Sequence, residues 1–244
     1  MKRNEAIRSE SDMLSEMPSD NRTKRRDETA SDDRTEKPRL SGRRAEAAAN
    51  DARVLATARA VLTVAPGTPM AEIAARAGVG VGSLYRRFPS KEALAYRLCL
   101  EGMNAIAEVA RDALARIDEG DPWEAFVGFV AGAVEAGAGS LRGLAGTFTP
   151  DDFLNRVAVD MAGLMQQVLE RAQAAEAVRD DITTNDVGLF FEMLRAIRVG
   201  DADRSDALRR RYIEMLSPAF RAPASGELTV PPASWAEISG AWNP

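Results

Sequence analysis

The side chains best placed to do chemistry lie in one short stretch, Val81-Gly82-Ser83-Leu84-Tyr85-Arg86-Arg87-Phe88. Leu84 and Phe88 are four apart and share one helical face. Ser83, Tyr85, Arg86 and Arg87 are left on or near the other. Hydroxyls and guanidinium groups on a small helix suit a nucleic-acid groove, where they neutralise phosphates and reach base edges. Nucleophilic catalysis has weaker support. The chain has no histidine, and its one cysteine is Cys99, so no nucleophile–base pair suggests itself. Asp151-Asp152 falls at an expected helix start, where capping explains it. A usual zinc site lacks its ligands, and one cysteine allows no internal disulfide. Neither a metal nor a cofactor is expected.

The flanking residues predict the elements that hold this stretch. Ile73, Ala74 and Ala77 form the apolar face of a preceding helix. Gly78 follows where a helix end needs positive φ. Thr68 reads as that helix's N-cap, Pro69 as its first residue, and Glu72 favours its positive end. After Phe88-Pro89, Ser90 caps a long helix from Lys91 to about Ile117. Upstream, Asn50 or Asp51 caps a helix to about Val64, with Val54, Leu55, Ala58, Val61 and Leu62 as its stripe.

The chain carries a net charge of −5, unusual for a phosphate binder. Placement matters more than the total. From Ile73 to Leu100 the bases are Arg76, Arg86, Arg87, Lys91 and Arg97, and the single acid is Glu92. Acids gather elsewhere, as in Asp118 to Glu124 and Asp180 to Asp186. Residues 1–36 are highly charged and poor in apolar groups, so they are expected to be disordered. Lys37 to Arg44 reads as a basic arm, either solubilising or reaching phosphate or the minor groove.

Further helices are expected from Asp121-Pro122-Trp123-Glu124 to the Gly/Ala run 136–139, from Thr149-Pro150-Asp151-Asp152 to about Ala177, from Thr183 or Thr184 through Ile197, and from about Arg204 to Phe220 with Leu208, Tyr212, Met215 and Leu216 inward. Residues 222–244 read as an extended tail packing in part through Trp235 and Trp242. No strand pattern appears. The fold class is therefore all-α. Four segments are expected: an arm (1–44), a three-helix helix-turn-helix domain (45–98), a larger helical domain (99–221) and a Pro-rich tail (222–244). The 45% apolar share suffices for a core, no run is long enough to cross a membrane, and no apolar leader opens the chain. Cytoplasmic residence is the default expectation.

Ile73-Ala74 to Gly78-Val79, with Gly82-Ser83-Leu84-Tyr85-Arg86-Arg87-Phe88-Pro89-Ser90-Lys91-Glu92-Ala93-Leu94, resembles the DNA-binding domain of the TetR family of bacterial transcriptional regulators. The likeness runs from about Asn50 to Leu98. Beyond Leu100 only helix number, order and length are similar. The resemblance implies a homodimer on double-stranded DNA, with the Val81–Phe88 helix in the major groove. Carried over, the DNA contacts are Val81, Gly82, Ser83, Tyr85 and Arg86. Thr68 and Lys91 match phosphate-contacting positions. Arg87 stands where histidine is frequent, so it adds a phosphate contact or faces solvent. The chemistry agrees: arginine reads guanine through O6 and N7, valine meets a thymine methyl, and Gly82 allows close backbone approach.

The resemblance also implies a small-molecule effector and a dimer interface in the C-terminal body. The aromatic and Met residues Trp123, Phe126, Phe129, Phe148, Phe153, Met161, Met165 and Phe190 are candidates for an effector pocket, although such spacing is more often plain core. They point to an apolar or aromatic effector, with Arg142, Asn155 and Gln166 as polar handles. The last two helices, with Gly188 and Ala196 allowing close approach, are expected to form the dimer. The function expected is a repressor released from a palindromic operator by its effector. The alternatives are a helical protein-interaction module without DNA binding and, far less supported, an enzyme.

Overall fold

The computed structural model describes residues 36–239 except 63, 141–143, 145 and 225, with side chains from 45 to 238. Of residues 1–36, expected to be disordered, 1–35 lie outside these, as do the side chains of Lys37, Arg39, Arg43, Arg44, Arg142 and Trp242. The chain divides into two units at Arg43–Arg44; apart from the helical residues 36–43, the architecture that follows lies in the second. Among the described residues there are α1 (Glu36–Leu62), α2 (Met70–Ala77), α3 (Val81–Arg87), α4 (Lys91–Glu119), α5 (Pro122–Glu135), α6 (Asp152–Ala174), α7 (Thr184–Arg195), α8 (Ala202–Leu216) and α9 (Trp235–Ser239), with a 3-10 turn at Ser217–Phe220. No helix among them is long and apolar enough to cross a membrane.

Helix α1 corrects the expected start at Asn50 or Asp51, since its backbone is helical from Glu36. The run Ala45-Glu46-Ala47-Ala48-Ala49 has high helix propensity, which carries the helix through two residues that often cap. At the start of α2 the N-cap is Pro69, not Thr68. The Thr68 hydroxyl instead donates to the Ala65 carbonyl at 2.9 Å, closing the preceding turn. The other start signals behave as local chemistry dictates. Ser90 accepts from the Ala93 N–H at 3.2 Å, Asp121 from Trp123 at 2.8 Å, Asp151 from Leu154 at 2.8 Å. Thr183 forms a capping box with Asp186.

Two apolar clusters meet along α4. One joins α1, α2, α3 and the first turns of α4, with Leu62, Ile73, Leu84, Leu94 and Leu98 deepest. The other surrounds α5, which is buried on most sides, and takes in α6, α7 and the far half of α4. At 29 residues, α4 is about 44 Å long and belongs to both. In α8 the buried positions are Ser205, Arg209 and Ile213. The expected inward residues Tyr212 and Met215 face outward, 37% and 55% exposed. The stripe Leu208–Tyr212–Met215 lies around the helix from Ile213, and the rest of the chain leaves Tyr212 and Met215 on it uncovered.

The C-terminal segment is fastened to the body. Val178 and Arg221 form an isolated antiparallel bridge, and the Arg179 N–H donates to the Phe220 carbonyl at 2.9 Å. Arg179 is buried and reaches the Gly226 carbonyl at 2.8 Å while pairing with Asp181.

Candidate nucleic-acid interface and cavity

The α2–turn–α3 geometry follows from Gly78. Its φ of 68° ends α2, and Val79 and Gly78 donate back to Ala74 and Ala75 at 3.0 and 3.2 Å. An L side chain there would be strained. Leu84 and Phe88, 2% and 6% exposed, then fix the roll of α3. That roll leaves Val81, Gly82, Ser83, Tyr85, Arg86 and Arg87 exposed on one surface. Tyr85 is 47% exposed and Val81 40%.

The polar groups on this surface are pre-arranged. Arg86 donates to the Ser83 hydroxyl at 2.9 Å, one turn back. Arg87 pairs with Asp51 of α1 at 2.7 Å. The Lys91 ammonium donates to the Pro66 carbonyl at 3.0 Å, tying the start of α4 to the α1–α2 loop. Thr68 lies beneath that loop and is buried. The helix starts of α2 and α4 present N–H groups without intrahelical acceptors, which suit phosphate oxygens. Ser83 and Arg86 are thus joined on the exposed face that also carries Tyr85, whereas Lys91 is tied to the α1–α2 loop, Arg87 is turned toward α1 and Thr68 has its hydroxyl engaged.

A cavity of 760 Å³ opens between α4, α6, α7 and α9. Cys99, Met103 and Ile106 of α4, Phe148, and Leu154, Met161 and Met165 of α6 give it apolar walls. Asn155, Thr184, Asn185 and Glu192 supply its polar groups. Burial pushes the Cys99 thiol up to about 12, against the opposing pull of Arg59, so it is a neutral apolar wall and not a thiolate.

The aromatic and Met candidates separate clearly. Phe148, Met161 and Met165 line the cavity. Trp123, Phe126, Phe129 and Phe190, expected as pocket candidates, do not; they pack in the core. Phe220 packs edge-on against Phe126 at 6.1 Å and Phe190 at 5.1 Å, and Arg221 lies over Trp123 at 5.1 Å. Phe153 does not line it either, being 49% exposed on α6. Asn155 is on the cavity, while Gln166 lies outside it, hydrogen-bonded to Glu170 and Thr184. Gly188, expected at a dimer contact, faces the cavity. A second apolar groove of 470 Å³ runs between α7 and α8, past Met193, Ala196, Leu208 and Tyr212.

Residues 55–98 match the family described as bacterial regulatory proteins, tetR family. Residues 121–217 match the C-terminal domain of SbtR-like transcriptional regulators. A TetR transcription regulatory protein from Mycobacterium vanbaalenii is 31% identical over 73% of this chain and 99% of its own, with a TM-score of 0.46. The chain belongs to the TetR family. A tetR-family regulatory protein from Rhodococcus RHA1, 17% identical over 70% of this chain and 97% of its own, has a TM-score of 0.50 and the same fold. No curated protein matches. This TetR-family chain is therefore a DNA-binding transcriptional regulator with a helix-turn-helix domain and a larger helical domain.

Sequence reasoning missed Cys99, Met103, Leu189, Trp235 and Ile238 on the cavity. Cys99 and Met103 are themselves four apart and lie one residue on from the Leu94–Leu98 row, so they look like ordinary core. Trp235 and Ile238 sit in a segment that reads as an extended tail; Trp235 is expected to pack, but nothing in the composition says against what, and Ile238 carries no signal of its own.

Proposed function

We propose that this chain is a homodimeric repressor that grips a palindromic operator through Val81, Gly82, Ser83, Tyr85 and Arg86, and that an apolar small molecule in the α4–α6–α7 cavity releases it. The observation that carries the reading is the roll of α3: its two apolar anchors are buried while its hydroxyls, arginine and tyrosine are exposed together. Arg86 offers a bidentate donor to guanine. Lys91 and the helix starts of α2 and α4 clamp phosphates, and Thr68 contributes through the loop it closes. Arg87 contacts phosphate once its pairing with Asp51 is exchanged.

The exposed stripe of Met193, Tyr212 and Met215 beside the α7–α8 groove supports dimerisation through these two helices. Two recognition helices would then lie about 34–36 Å apart, one DNA turn. Helix α4 supports the coupling. Its first turns, at Leu94 and Leu98, hold α3, and its next turns, at Cys99, Met103 and Ile106, wall the cavity. Tyr96 adds a lever, its hydroxyl donating to Asp151 at the start of α6 at 3.1 Å. A ligand that fits only a shifted α4–α6 pair disfavours the spacing that fits DNA.

The test is selection of bound duplexes from random DNA, followed by gel shifts with Arg86→Ala and Tyr85→Ala. Each should weaken binding by about 1–3 kcal/mol. Unchanged binding in both would remove α3 from the interface; no selected sequence at all would favour a protein-interaction module. A ligand screen for release then tests the cavity.

A further inference from the structure

The cavity has one wall that is not part of the helical body. The match to the family's C-terminal domain ends at residue 217, yet Trp235 and Ile238 of α9 line the same 760 Å³ space as Met103 and Met161. The segment that brings them there is anchored along its length. Arg221 bridges Val178, Arg179 holds the Gly226 carbonyl at 2.8 Å, and the Asn185 side chain donates to the Ala233 carbonyl at 2.8 Å. Ser234 and Glu237 then cap α9 reciprocally, the Ser234 N–H and hydroxyl both donating to the Glu237 carboxylate at 2.7 Å.

We propose that residues 221–239 form a strap that completes the effector site, with Trp235 and Ile238 as ligand-contacting, specificity-determining residues. This rests on the cavity being the effector site. Trp235 is 66% exposed although it faces the cavity. An indole left mostly in water at the rim of an apolar space gains burial only when a ligand fills that space. The anchors differ in strength accordingly. The Arg179 end is buried and charge-assisted, whereas next to α9 the Asn185–Ala233 bond joins two neutral groups. The strap therefore opens at its α9 end, with Asn185 as the latch, since that residue lines the cavity and holds the strap at once. The occupant this wall selects is an apolar small molecule with a ring able to stack on indole. Its size is that of an ordinary drug-like ligand, for which pockets of about 300–1,000 Å³ are usual.

The experiment uses the full chain and the neutral apolar dye Nile red, followed by fluorescence and stopped-flow dissociation. The variants are Trp235→Ala, Ile238→Ala and two cavity fillers, Met161→Trp and Ala162→Trp. Ala162 is an exposed residue on the cavity rim, so its replacement leaves the core intact. The expected result is dye binding by wild type, loss of binding in the fillers, and dissociation about tenfold faster in Trp235→Ala and Ile238→Ala, equivalent to about 1.4 kcal/mol. Amide exchange across Trp235–Ser239 should also slow in the dye complex. If the fillers abolish binding but both strap variants release dye at the wild-type rate, the strap is overturned and the cavity stands. Absence of wild-type binding, or binding indifferent to the fillers, overturns the cavity and the strap together.

Discussion

Replacing Gly82 by alanine separates the fold from recognition, because the two should respond with opposite sign. Gly82 is the second residue of α3 and is exposed. A Cβ built on it meets nothing within 4 Å. Its backbone is right-handed, so alanine suffers no strain and gains helix propensity. The gain is about 0.5–1 kcal/mol. On a chain of this size that raises Tm by about 1–4 °C. The same methyl projects from the face proposed to enter the major groove, where it holds the backbone away from the base edges. The expected loss of operator affinity is about 1–3 kcal/mol, of the order of one mismatched base pair. The control is Gly78→Ala. The space around Gly78 is equally open, but its φ is +68°, so the left-handed conformation should cost about 1–2 kcal/mol. Thermal unfolding followed by circular dichroism gives the first quantity, and fluorescence anisotropy on a selected duplex the second. A lower Tm for Gly82→Ala would contradict the helical, uncrowded placement of this residue. A higher Tm with unchanged DNA affinity would refute close approach of α3 to the duplex.

Other outcomes follow from the same geometry. Arg87→Ala should change stability by less than about 1 kcal/mol, because its pair with Asp51 is solvent-exposed; the slope of log affinity against log salt should fall by about one per site if Arg87 reaches phosphate. Met215→Glu on the exposed face of α8 should convert dimer to monomer in light scattering and weaken operator binding by about a hundredfold or more through lost bivalency. Cys99 makes stability fall in alkali. The thiol is raised from 9.0 to about 12 in the folded chain, so above pH 9 the unfolded state releases a proton that the folded state keeps. Stability contributed by this group should drop by about 1.4 kcal/mol per pH unit from there to about 12, and Cys99→Ser should flatten that limb of a urea-midpoint profile against pH.

The DNA-binding half was legible because its determinants are local. A glycine with positive φ, two apolar residues one turn apart and a serine cap act within a few residues of themselves. Types and spacing alone therefore fix α2, the turn, α3 and its exposed face. The same locality explains the misreading at Thr68, whose hydroxyl had two acceptable partners within one turn and took the Ala65 carbonyl. It also explains the late start given to α1, where a weak cap signal was outweighed by a run of alanines.

What the linear chain specified was thus an all-α protein with a short helix held by Leu84 and Phe88 and a polar, basic face left exposed. Which aromatic residues wall a cavity was decided only in three dimensions. Trp123, Phe126, Phe129 and Phe190 have the same spacing and character as Phe148, Met161 and Met165, yet the first group packs around α5 and the second faces open space. A helical stripe records that a side chain is buried, not what buries it. The return of Trp235 and Ile238 onto that space depends on Arg179 and Asn185, which are more than forty residues earlier in the chain than their partners. Contacts across such separations leave no periodic trace, because they arise from packing the finished helices and not from the propensities that form them.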